Sequence, residues 1–161
     1  MNIFDFAMQM EKDGEAYYRE LAQKCGDKGL AKIFTMLADE EVRHYALFSR
    51  MKTGKVEVPK TSILANVKNI FAEMKAKGQP FHFGTEQIGY YRKAQEIEKK
   101  SEDFYREKSK EVSDSDQKES LLKIANEERN HFLILEGIIE FVQRPQTWLE
   151  DAEWSNIGRE Y

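Results

Sequence analysis

Residues 37–45 read LADEEVRHY, and residues 124–132 read IANEERNHF. They stand 87 residues apart (Leu37 against Ile124). Glu11–Glu20, EKDGEAYYRE, answers Glu98–Glu107, EKKSEDFYRE, at the same offset without a gap. The chain is therefore two copies of one unit, related by an approximate two-fold axis. Each copy holds two amphipathic stretches with apolar residues near the 3.6-residue helical period, so the unit is a helical hairpin.

Working outward, the spacing predicts long helices over residues 2–25, 30–51, 86–111 and 117–143, with a shorter one over 63–77. Asn2 and Thr85 read as N-caps, and the glycines of Gly26-Asp27-Lys28-Gly29 as a break. The loop Gly78-Gln79-Pro80 to Gly84 breaks the chain again, and Ser113-Asp114-Ser115-Asp116 is turn chemistry. Short links make the first pair and the last pair antiparallel. The long connection between them, roughly 30 residues, is enough to travel back along a bundle of about 35 Å. The expected fold is all-α: a four-helix bundle of two antiparallel hairpins with one long crossover, over residues 1–144. Residues 145–161 form a short tail. With Trp148, Leu149 and Trp154 among acids, it is expected to fold back on the bundle or to clasp a second chain.

Composition agrees. Of 161 residues, 34% are charged, with only 9 Gly and 3 Pro, too few for a turn-rich sandwich or barrel. The net charge of −4 argues against nucleic acid as a partner. One cysteine, Cys25, rules out a disulfide framework or a Cys-based metal site within these residues and suits a reducing compartment. There is no apolar run of the ~18 residues a membrane span needs, and no basic-then-apolar leader, so the expected location is the cytoplasm.

Chemistry enters where the buried stripes stop being apolar. The inward stripe of the first long helix is Phe4, Ala7, Glu11, Gly14, Tyr18 and Cys25. Its repeat partner carries Tyr91, Ala94, Glu98, Ser101, Tyr105 and Val112. The second and fourth long helices each carry a Glu-x-x-His pair mid-stripe, Glu41–His44 and Glu128–His131. Four carboxylates facing one another in a bundle core repel strongly, and each buried charge costs several kcal/mol unless compensated. No Lys or Arg occupies the central positions of the stripes, so the compensating charge must come from outside the chain. Glu and His three apart lie on one helix face. Two such pairs with two lone glutamates give six ligands, enough for two divalent or trivalent metal ions. Carboxylate and imidazole donors suit iron or manganese.

These motifs, Glu11…Glu41-x-x-His44 and Glu98…Glu128-x-x-His131 with Tyr18 and Tyr105 seven residues after each lone Glu, resemble the rubrerythrin branch of the ferritin-like superfamily. The resemblance covers about residues 3–143. It implies a ferritin-like bundle holding two iron ions (manganese or mixed metals being alternatives), with Glu41 and Glu128 bridging and Glu11, His44, Glu98 and His131 as terminal ligands. It also implies that the acids preceding the bridging pair reach the opposite histidines, Glu40 to His131 and Glu127 to His44. Tyr18 and Tyr105 would meet carboxylates of the antiparallel neighbour. Glu15 and Glu102 read as surface charges, and His82 as a loop residue.

The resemblance further implies reduction of hydrogen peroxide or dioxygen. Electrons would come from a separate donor protein, since one cysteine cannot build the four-cysteine rubredoxin domain that rubrerythrins carry. Peroxidases of this branch also carry an extra carboxylate one turn after the third-helix ligand, where this chain has Ser101. Iron handling, a bundle with a vestigial site, and substrate hydroxylation stay open as other functions. A homodimer is the expected assembly.

Overall fold

The computed structural model describes residues 2–78 and 80–158, so Gln79 and the last three residues of the predicted tail lie outside the described residues. The elements in order are α1 (Ile3–Lys24), α2 (Lys28–Met51), α3 (Ile63–Lys77), α4 (Glu86–Glu111), α5 (Ser115–Gln143), α6 (Pro145–Glu150) and a 3-10 turn, Glu153–Asn156. No strand occurs among the described residues.

Local chemistry sets the helix starts. The Asn2 side chain accepts from the Phe4 amide at 2.7 Å. Asp27 accepts from the Leu30 amide at 2.9 Å, which opens α2 two residues earlier than the glycine-flanked stretch suggested. Asp114 does the same for α5, accepting from Asp116 and Gln117. Thr85 precedes α4 as expected, but its side chain makes no capping bond. Gly78 closes α3 in the left-handed conformation, φ 61°, which a residue with a Cβ adopts only at a cost.

The molecule is a ferritin-like helical bundle. α1 packs along α2, and α4 along α5. Cross-bundle bonds fix the remaining directions. Tyr18 on α1 reaches Glu98 on α4, while Tyr105 reaches Glu11. As the number rises on one helix it falls on the other, so α1 and α4 are antiparallel. The pairs His44–Glu128 and His131–Glu41 give the same result for α2 and α5. The stripes predicted to face inward do so, save that Val112 is only half-buried.

Two apolar clusters fill the bundle. One is built around Leu30, Phe34, Leu37, Phe71, Leu135 and Trp148; the other around Phe4, Leu47, Phe48, Tyr105 and Ile124. The polar residues that interrupt the stripes lie between them.

The tail turns back onto its own chain. Trp148 is fully buried, edge-on to Phe71 at 4.7 Å, with Phe141 at 5.6 Å. Its indole N–H donates to Glu140. Ile157 lies where a Cβ on Gly137 would come within 2.8 Å, so the bare glycine lets the tail approach α5.

Candidate metal centre

Each of the four long helices delivers its interrupting residues to one level. Glu11 comes from α1, Glu41 and His44 from α2, Glu98 from α4, and Glu128 and His131 from α5. All six are at most 3% exposed. Their donor atoms fall into two groups, each within 4.8 Å internally: Glu11, Glu41, His44 and Glu128; and Glu41, Glu98, Glu128 and His131. Glu41 and Glu128 belong to both. The two imidazoles lie nearly parallel, with centroids 5.7 Å apart. All six predicted ligands are thus brought together.

The donor atoms converge without satisfying one another. Glu11 Oε2, His44 Nδ1, Glu98 Oε2, Glu128 Oε1 and His131 Nδ1 are buried and lack a hydrogen-bond partner. His44 Nδ1 lies 2.8 Å from Glu128 Oε1, yet the two are not aligned as donor and acceptor. Buried polar atoms are almost always paired, and leaving one unpaired costs about 1–3 kcal/mol. Five such atoms aimed at one space are the arrangement a cation would satisfy. Anionic oxygens and imidazole nitrogens, with no Lys or Arg among them, are the right donors for it.

The electrostatics carry the same strain. Burial pushes the Glu128 carboxyl well above its ordinary value, and Glu11 and Glu98 push it further. Burial also raises Glu11, against the lowering effect of His44 and Tyr105. Burial raises Glu98 too, but His131, Glu128 and Tyr18 outweigh it and hold that carboxyl below its ordinary value. Burial disfavours protonated His44, yet Glu11, Glu127 and Glu128 together raise it well above normal.

A ring of partners surrounds the cage. Tyr18 Oη donates to Glu98 Oε1 at 2.5 Å, and Tyr105 Oη donates to Glu11 Oε1 at 2.7 Å. Both tyrosines meet the carboxylate of the antiparallel neighbour, as expected. Burial, and then the adjacent carboxylates, keep both phenols protonated well beyond the usual range. Glu127 Oε1 lies 2.8 Å from His44 Nε2, also as expected.

Glu40 does not reach His131. It accepts from Arg43 Nη1 at 3.0 Å and from the Thr61 hydroxyl. The arginine beside it and the hydroxyl of the long connection draw its carboxylate away. Glu102 is also corrected: it is buried, with one oxygen bonded to Arg106 and the other unpartnered. Glu15 stays part-exposed and pairs with Arg19. His82 is exposed in its loop. Arg43 and Thr61 were missed. The signal for Arg43 was present, since the repeat places Asn130 at the equivalent position; Thr61 has no signal in the repeat.

Among family models, the one described as Rubrerythrin matches residues 2–139. No curated protein and no solved structure matches.

Proposed function

The chain belongs to the rubrerythrin family, and from that premise and the cage geometry we propose that it is a di-iron oxidoreductase that reduces hydrogen peroxide or dioxygen. The observation that carries this is the set of five buried, unpartnered donor atoms on Glu11, His44, Glu98, Glu128 and His131. Glu41 and Glu128, common to both donor groups, would be shared between two ions. Glu11 and His44 would complete one position, and Glu98 and His131 the other. When bound, a ferrous pair supplies the two electrons that split an O–O bond, so that H2O2, two electrons and two protons give two waters.

The rest is the work of the chain. Tyr18 and Tyr105 hold their protons at Oη and pin one oxygen of Glu98 and of Glu11, while the second oxygen of each is buried without a partner. Glu127 holds the outer nitrogen of His44, so that Nδ1 would turn its lone pair to a bound ion once its proton is displaced. The apolar clusters on either side keep bulk water out and strengthen every charge interaction within. One cysteine in 161 residues leaves no place for a thiolate-bound iron that would store electrons, so the electrons come from a donor outside these residues.

The test is anaerobic loading with Fe(II), followed by mixing with hydrogen peroxide and, separately, with dioxygen. Rapid growth of a ferric spectrum is expected, with two electrons consumed per peroxide, and steady turnover once a reductant is supplied. An iron-loaded protein inert to both oxidants would overturn it.

A further inference from the structure

The two halves of the cage are unequal where the internal repeat would make them equal. On one side the outer nitrogen of His44 lies 2.8 Å from Glu127 Oε1. Glu127 in turn receives both ends of the Arg43 fork, Nη1 at 2.7 Å and Nη2 at 3.1 Å. Arg43 also donates to Glu40 at 3.0 Å and to the Pro59 carbonyl at 2.5 Å, and Thr61 bonds Glu40. His44 is therefore held through a carboxylate that is itself clamped to the long α2–α3 connection.

On the other side His131 takes the place of His44, and its Nε2 is buried without a hydrogen-bond partner. The residue equivalent to Arg43 is Asn130, short and neutral. The residue equivalent to Glu127 is Glu40, already engaged by Arg43 and Thr61.

We propose that the two metal positions differ in affinity: the position of Glu11 and His44 fills first, and Arg43 sets the difference by holding Glu127 on His44. The inference rests on the two-metal reading above. An imidazole whose outer N–H is held by a carboxylate is fixed in tautomer and orientation and is a stronger donor. Losing such a partner weakens metal binding by about 10–100-fold. His131 has no such partner, so a cation bound there leaves its outer N–H buried and unpaired. The two tyrosines, by contrast, obey the repeat, each donating to the lone glutamate of the antiparallel helix.

The test is an anaerobic Zn(II) titration of the full chain against a competing chromophoric chelator, followed in parallel by nitrogen-15 spectra of the histidine rings. Two steps about 10–100-fold apart are expected, with the His44 ring shifting at the first equivalent and the His131 ring at the second. Arg43→Asn, which copies the other half, is expected to weaken the first step by about 10-fold or more and bring the two together. Glu127→Gln should do the same, and Arg43→Lys should restore part of the gap. The order of filling in the unaltered chain decides the matter even where a variant does not fold. Two equal steps, His131 filling first, or an undiminished gap in folded Arg43→Asn would overturn the proposal while leaving two-metal binding intact. No Zn(II) bound at all would overturn both.

Discussion

Replacing Glu128 with Gln should make the metal-free protein more stable and the metal-loaded protein less so. Glu128 is 1% exposed, and its Oε1 has no hydrogen-bond partner. Donor atoms of Glu11 and Glu98 both lie within 4.8 Å of its own. At that distance and an effective dielectric of 20, two ionised carboxylates repel by about 3 kcal/mol. The protein escapes part of this by taking up a proton, which is why burial and the two neighbours raise the Glu128 carboxyl so far. The amide keeps the shape and removes the charge, while His44 retains Glu127 at 2.8 Å. A net gain of about 1–2 kcal/mol, or roughly 2–8 °C in Tm for a chain of this length, is expected at pH 7.5.

The sign with pH follows from the direction of the shift. A carboxyl raised by folding costs nothing below its ordinary value near 4.5 and costs progressively more as pH climbs above it. The advantage of the variant should therefore shrink towards zero at pH 5. Metal reverses the order, because an ion at 1,000 times its Kd adds about 4 kcal/mol, or roughly 8–16 °C, and the variant lacks a bridging oxygen. Scanning calorimetry of chelated and Fe(II)-loaded samples at both pH values reads all four quantities. A metal-free variant that melts below the wild type at pH 7.5, or one that keeps the full metal-induced rise, would refute the reasoning.

Gly14→Ala places a methyl 3.2 Å from the Glu41 carboxyl carbon. Metal affinity should fall by about 10-fold while helix propensity adds up to ~1 kcal/mol to the metal-free chain; chelator competition and urea unfolding separate the two. Tyr18→Phe strips the 2.5 Å bond from Glu98 and should cost the metal-free protein about 1–3 kcal/mol in urea unfolding. Trp148→Ala, in the tail and packed on Phe71 and Phe141, should cost about 3–5 kcal/mol yet leave the metal content per folded chain unchanged.

The bundle and its six converging carboxylate and imidazole side chains were legible because both rest on short-range periodicity. A charge on an otherwise apolar helical stripe announces itself, and the 87-residue offset shows it twice. The start of α2 was misplaced because Gly26 and Gly29 read as a break, whereas Asp27 between them caps the helix and admits Lys28 and Gly29. Glu40 was misassigned for a non-local reason: its direction depends on Thr61, in a connection the repeat does not cover, and on Arg43, which the repeat does not preserve. Glu102 looked like a surface charge because its depth depends on how far α4 rolls against its neighbours, although Arg106 one turn on was a hint that its charge would be met. The tail could not be assigned to its own chain from the sequence, since an apolar face carrying two tryptophans does not say which surface covers it. Only Phe71, Phe141 and the bare Gly137 reveal that.

The central claim is that six side chains from four helices enclose a pair of cations. X-ray absorption at the iron edge, on protein loaded anaerobically with Fe(II) and washed of excess, measures it most directly when combined with metal analysis. The account predicts two irons per chain, oxygen and nitrogen neighbours only, and an iron–iron vector of a few ångströms that vanishes in Glu128→Gln. A single iron per chain with no such vector, or a folded chain that retains none, would contradict it.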